Sequence, residues 1–299
     1  MEITTPSLKP SFSFYLKSLL RTLTRPLHLQ RKWQLFSYSS RGHNLRPRSS
    51  SHRVRPIVLR SDDGTRLSGW LMTPRWPEAK GAVLYFGNGS EEALWLAGHA
   101  QALFPEMTVL VMHYRSTGSS ARPAVEQMVA DGEVLYDWLA DSHQHLADFP
   151  VVVMGRDFGA GVAVKVAASR PAAALTLLTP RDAVDPERSS GLGLWKREPK
   201  TEAQAAFILK QPSAVMVLRA EDDDIVPAAV TDAFVSRLPA RTRDQTISRA
   251  DHYDLPYREE MHAAIADFLR EHVPAKRGGL QSAATVVQAP AEPAMVLAA

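Results

Sequence analysis

The stretch Val151-Val152-Val153-Met154-Gly155-Arg156-Asp157-Phe158-Gly159-Ala160-Gly161-Val162-Ala163 decides the fold. Its first four residues form an unbroken apolar, β-branched run, short enough for a strand buried on both faces. From Gly159 onward, small residues open a helix. Gly155 and Gly159 bracket the turn between them; glycine lets the chain bend sharply and lets a helix pack closely on its feeding strand. One side chain, Asp157, stands at the apex. Serine at that point would signal acyl transfer. Aspartate signals different chemistry or none.

Outward from this segment the chain alternates. Residues 53–59 and 66–72, joined through Asp62-Asp63-Gly64, predict an antiparallel hairpin with an Asp-Gly turn. Continuous apolar runs at 82–86, 108–112, 151–154, 174–178 and 214–218 predict strands of a parallel sheet. Helical patterns fall between them at 91–104, 122–141 and 158–169, with further helices expected at 228–237 and 257–271. The expected fold class is α/β: a doubly wound, mostly parallel sheet with helices on both faces and right-handed crossovers. Ligands would then sit at the carboxyl ends of the strands.

The 299 residues include no cysteine, which excludes disulfides, thiolate nucleophiles and cysteine metal sites. The net charge of +3 conceals an asymmetry. Residues 1–56 carry 11 Lys/Arg and one acid, Glu2; of the totals of 35 and 32, the remainder holds 24 bases and 31 acids. The basic character therefore belongs to a leader, residues 1–55. There Leu16, Leu19, Leu20, Leu23 and Leu27 recur at helical spacing until Pro26 ends or kinks the helix. Three readings stand for this leader: an interfacial helix on an anionic membrane surface, an Arg- and Ser-rich organelle transit peptide, or a disordered basic arm. No nucleic-acid-binding motif accompanies the charge, so nucleic acid is not expected as a partner. No apolar run reaches the ~20 residues of a membrane span. A cytoplasmic protein is expected, with peripheral membrane association and organelle targeting left open as alternatives. Residues 273–299, rich in Ala, Pro and Val, are expected to be a disordered tail.

Five pieces in chain order carry a family resemblance. They are Phe86-Gly87-Asn88-Gly89, His113-Tyr114-Arg115-Ser116-Thr117-Gly118-Ser119-Ser120, the turn at 155–159, Asp223-Asp224-Ile225-Val226-Pro227, and Ala250-Asp251-His252-Tyr253-Asp254-Leu255. Residues 56–272 thereby resemble the α/β-hydrolase superfamily, most of all its small-lidded serine-nucleophile branch, with the lid at about 181–212. The departures are Asp157 for the nucleophilic serine of the Gly-x-Ser-x-Gly elbow, Phe86 for histidine and His113 for aspartate.

The resemblance implies nucleophile, acid and histidine in the order Asp157, Asp223, His252. Imidazole titrates near neutrality and serves as a base, and Asp223 would orient it. The backbone N–H groups of Phe158 and Asn88 would be the oxyanion or anion donors. Members of this superfamily with aspartate at the elbow are dehalogenases and epoxide hydrolases. There the carboxylate attacks carbon, and water hydrolyses the resulting ester. The expected partner is a small organic substrate; no metal and no cofactor is implied. Residues 181–212 contain no tyrosine to assist epoxide opening, while Trp195 offers an indole donor. Aspartate is also a preferred helix N-cap, so Asp157 has a purely structural alternative. The corresponding functional alternative is a degenerate hydrolase domain acting as a binding or membrane-surface scaffold.

Overall fold

Side-chain alternation fixes how the central strands sit. In the strand Gly81–Phe86, Ala82, Leu84 and Phe86 pack into one apolar layer while Val83 and Tyr85 pack into the other. The neighbouring Val151–Arg156 divides in the same way, Val151 and Val153 against Val152 and Met154. Every residue of these strands is buried, as expected of a sheet covered on both faces. The computed structural model describes residues 46–76, 78–87, 92–115, 125–142, 149–181, 214–236, 238 and 241–273. Eight strands, β1 (His52–Arg60), β2 (Arg66–Pro74), β3 (Gly81–Phe86), β4 (Met107–Met112), β5 (Val151–Arg156), β6 (Ala174–Leu178), β7 (Ala214–Ala220) and β8 (Arg243–Ile247), form one sheet. Their order is β1-β2-β4-β3-β5-β6-β7-β8. β1 and β2 are antiparallel to each other, β2 is antiparallel to β4, and all remaining pairs are parallel.

Helices α1 (Glu92–Leu103) and α5 (Glu259–His272) cover one face; α2 (Val125–Asp141) and α3 (Gly159–Ser169) cover the other, with Phe234 of α4 (Ala228–Val235) joining that second layer. The expected hairpin forms, with Arg60 opposite Arg66. Its loop closes by hydrogen bonds from Ser61 N to Thr65 O and from Gly64 N to Ser61 O, with Gly64 at φ 80°. Two differences from the sequence reading stand out. β1 begins at His52, inside the stretch assigned to the leader. β8 has no counterpart among the expected strands, because its sequence RDQTI carries no apolar run and buries only Ile247. The expected leader up to residue 45, nearly all of the expected lid, and the tail from 274 lie outside the described residues.

Candidate active site

Between β5 and α3 the chain turns sharply, and the backbone shows why the glycines at 155 and 159 are needed. A Cβ on Gly159 would lie 2.3 Å from the Phe86 carbonyl oxygen, and one on Gly155 would lie 2.6 Å from the Ala160 Cα. Between them Asp157 adopts φ 55°, a left-handed conformation costly for a residue with a side chain. The turn is held by Asp157 N donating to Leu178 O at 3.0 Å and by Ala160 N donating to Asp157 O at 3.1 Å. Asp157 sits at the carboxyl end of β5, where a doubly wound sheet gathers its ligands.

The Asp157 carboxylate does not cap its helix. The N-cap position of α3 falls on Phe158, with no side-chain cap bond. Instead Oδ2 faces His252 Nε2 at 3.7 Å, an electrostatic contact rather than a hydrogen bond. His252 Nδ1 donates to Asp223 Oδ2 at 3.0 Å; a carboxylate only accepts, so Nδ1 carries the proton. Asp223 is fixed in turn, its Oδ1 accepting from Ile225 N at 2.9 Å and Val226 N at 2.7 Å. The Asx-type turn that these two bonds make selects Asp223 over its neighbours Asp222 and Asp224.

Two arginines complete the cluster. Arg181 engages both Asp157 oxygens along one guanidinium edge, Nε toward Oδ1 and Nη2 donating to Oδ2 at 3.0 Å. Arg156, buried within the elbow itself, donates from Nη2 to the His252 carbonyl at 2.7 Å, tying the histidine loop to the turn. Burial alone would raise the pKa of Asp157, but the approach of His252 and the charges of Arg181 and Arg156 outweigh it and hold the carboxyl below its usual range. Burial would lower the pKa of His252, but the facing carboxylates of Asp157 and Asp223 overcome that and raise it. Each of the two groups thus favours the charged form of the other.

Of the expected site residues, Asp157, Asp223 and His252 converge, and Phe158 lies beside them with its ring 5.2 Å from that of Tyr114. The Phe158 N–H meets no hydrogen-bond acceptor among the described residues. Asn88, the other expected anion donor, and Trp195 lie outside the described residues. The neighbouring Gly87 carbonyl accepts from Tyr114 Oη at 2.9 Å, which ties the end of β3 to the strand beside it. No group of three or more His, Asp or Glu side chains that could hold a metal occurs among the described residues. No described helix is long and apolar enough to cross a membrane. Sequence reasoning gave no role to Arg156 or Arg181. The available signal for Arg181 was position alone: it follows the carboxyl end of β6, two residues after Thr179, which also has a positive φ of 41°.

No protein-family model matches the chain. It is 27% identical over 205 residues to an uncharacterized protein of Mycobacterium tuberculosis, found alike in strains CDC 1551 and H37Rv; the match spans 67% of this chain and 73% of that protein. Solved structures align at lower identity and wider coverage. An alpha-beta serine hydrolase homologue from Coxiella burnetii matches with TM-score 0.54 at 16% identity, covering 72% of this chain and 97% of that one. A cold-adapted esterase from an Arctic intertidal metagenomic library matches with TM-score 0.57 at 16% identity, covering 77% and 98%. An esterase of Pyrococcus furiosus matches with TM-score 0.57 at 15% identity, covering 74% and 93%. Near-complete coverage of these chains, the strand order and the elbow agree on one architecture: the chain has the α/β-hydrolase fold.

Proposed function

We propose that this protein is a hydrolase that acts on a small organic substrate through a covalent ester on Asp157, with His252 as base and Asp223 as its orienting group. The observation that carries the reading is the position of the Asp157 carboxylate. It sits on a left-handed residue at the elbow apex, is not used as a helix cap, and faces the Nε2 of a histidine whose Nδ1 is held by a second carboxylate. An ionised carboxylate needs no base to become a nucleophile. Attack by one Asp157 oxygen on a saturated carbon forms the C–O bond as the carbon–halogen bond, or an epoxide C–O bond, breaks. The electron pair leaves with the halide or the ring oxygen.

Charge then prepares the second step. Esterification removes the negative charge of Asp157, one of the two charges that favour the protonated form of His252, so the pKa of the imidazole falls and its neutral form serves as the base. A water deprotonated by Nε2 adds to the Asp157 carboxyl carbon. The oxyanion is met by the Phe158 N–H and the Arg181 guanidinium. Collapse expels the alcohol oxygen, which takes its proton from the imidazolium, and restores the carboxylate. The esterase names of the solved neighbours do not transfer at the level of mechanism, since attack of a carboxylate on an ordinary ester would give an anhydride.

A second reading rests on Arg181: its pairing with both Asp157 oxygens satisfies the carboxylate and suits a catalytically silent domain used as a binding scaffold. One experiment separates the two. The His252→Gln protein, incubated with panels of halogenated, epoxide and ester compounds, is expected to accumulate an adduct that intact mass and peptide mapping locate on Asp157. The unaltered protein should turn over the same compound. Absence of adduct and turnover on every panel would leave the scaffold.

A further inference from the structure

The last residue of β5, Arg156, stands directly before Asp157, and strand alternation decides where its side chain goes. Val152 and Met154 of the same strand, and Leu178 opposite Arg156 on β6, belong to the layer under α1 and α5. Arg156 therefore projects into that layer, which also holds Ala250 and Leu255 on either side of His252. It is buried there, and its Nη2 donates to the His252 carbonyl at 2.7 Å. Bonds around the rest of the histidine loop run elsewhere. Asp251 and Asp254 brace the loop internally: Asp251 Oδ1 accepts from Tyr253 N at 2.8 Å and Asp254 N at 2.7 Å, and Asp254 Oδ1 accepts from Asp251 N at 2.9 Å. Toward the acid loop after β7, Asp222 N donates to Ala250 O at 2.8 Å, Arg249 N donates to Glu221 Oε2 at 2.8 Å, and His252 Nδ1 donates to Asp223 Oδ2 at 3.0 Å. Histidine and acid thus form one braced unit, and the nucleophile belongs to another, the turn after β5. Arg156 is covalently part of the nucleophile turn and hydrogen-bonded to the histidine residue itself, so it joins the two.

We propose that Arg156 is a positioning residue: it holds the histidine loop at the distance from Asp157 at which His252 Nε2 can deprotonate the water that hydrolyses the Asp157 ester, a role that rests on the nucleophilic reading of Asp157. In that step the water proton passes to Nε2, and the water oxygen forms its bond to the Asp157 carboxyl carbon. Two controls on the imidazole are then separate. Asp223 fixes its tautomer and tilt through Nδ1. Arg156 fixes where the backbone that carries the ring stands relative to the elbow, through a hydrogen bond that its charge strengthens. Without Arg156 the histidine–acid unit keeps its own bonds, but the 3.7 Å approach of Nε2 to Asp157 Oδ2 loses its tether. A misplacement of about 1 Å is enough to cost on the order of 100-fold in rate.

Two readouts test this. The first is titration of the His252 ring by NMR, its signal identified by its loss in His252→Gln. With Arg156 present, Asp157→Asn should lower the His252 pKa, because one of the two facing carboxylates is gone. In the Arg156→Met background the same substitution should lower it markedly less. The charge of Arg156 is absent from both members of that second pair, so it cancels from the comparison. The second readout is hydrolysis of the ester, with butyl bromide and butylene oxide as probes. Arg156→Met should still form the adduct on Asp157 but release it roughly 10- to 100-fold more slowly than the unaltered protein, so that the adduct accumulates as in His252→Gln. If Arg156→Met does not fold, Arg156→Gln takes its place: its amide ends at the depth of Nε, short of the carbonyl that Nη2 reaches. An equal lowering of the His252 pKa with and without Arg156, or no lowering in either, overturns the proposal, while an adduct on Asp157 keeps the nucleophilic reading. No adduct on Asp157 with any compound removes that reading and this role with it.

Discussion

Two arginine–carboxylate clusters lie in this molecule, and they differ in what they leave open. Around Arg115 every donor has an acceptor. Nε donates to Asp131 Oδ2 at 2.8 Å, Nη2 reaches Asp131 Oδ1, and Nη1 donates to Asp63 Oδ2 at 2.6 Å. Ser61 Oγ adds a 2.6 Å bond to Asp131. The Arg115 hydrogen bond holds Asp63 down at about 2. This cluster joins the loop after β4, the β1–β2 hairpin and α2, with one cation against two carboxylates. Around Asp157 the arrangement differs. One edge of Arg181 meets no acceptor among the described residues, His252 Nε2 stops at 3.7 Å, and the backbone is in a left-handed conformation. Burial and ion pairing are common to both. What distinguishes the second is a left-handed residue that holds its carboxylate toward a histidine.

The sharpest way to break this distinction is to remove each arginine in turn. Arg115→Met would leave the buried Asp131 carboxylate without a cation and should cost about 3–5 kcal/mol. Arg181→Met should cost no more than about 2 kcal/mol. Arg181 is partly exposed, and Asp157 keeps His252 and the field of Arg156. Urea midpoints at unchanged slope give both values. Equal losses would make Arg181 a second staple.

A smaller effect separates side-chain from backbone dependence. Gly159→Ala would push a methyl to within 2.3 Å of the Phe86 carbonyl, so β3 and the elbow must move apart, at a cost of about 1–3 kcal/mol. Gly64, in the hairpin beside Asp63, has nothing within 4 Å of an added Cβ. Its substitution by alanine should cost only the backbone strain at φ 80°, about 1 kcal/mol. Thermal unfolding of the two variants measures the difference. A larger loss at Gly64 would mean that the elbow is not the constrained part of the fold.

How far these regions were legible in sequence follows from the same contrast. Apolar runs and paired glycines reflect local physics, so five of the parallel strands, the hairpin and the elbow could be read directly. β8 could not, because an edge strand that buries only Ile247 carries no hydrophobic pattern. The grouping of Asp157, Asp223 and His252 came from a resemblance in chain order rather than from any local signal. Arg181 was invisible for a stronger reason. An arginine after Thr179-Pro180 reads as an ordinary loop residue, and its partner is 24 positions away in sequence. Arg115 likewise reaches Asp63 and Asp131, 52 and 16 positions away. Long-range charge pairing is a property of the folded sheet.

The smallest effect is a pH signature that only the Asp157 cluster should show. His252 has a raised pKa in the folded state, so its contribution to stability is complete below the unfolded value of 6.5 and is lost as pH rises through the folded value. Asp157 has a lowered pKa, so its contribution is present above the unfolded value of 3.8 and is lost as pH falls through the folded value. The ion pair they form is therefore worth most between 3.8 and 6.5. In Asp157→Asn, His252 retains only Asp223 as a charged partner. The stability advantage of the unaltered protein over Asp157→Asn should be largest in that window and decline above it, with a slope no steeper than the one-proton limit of about 1.4 kcal/mol per pH unit. Denaturation at a series of pH values gives the curve. An advantage that stays level from pH 5 to above the titration of His252 would mean that Asp157 is held by its arginines alone. The histidine would then be a bystander at 3.7 Å.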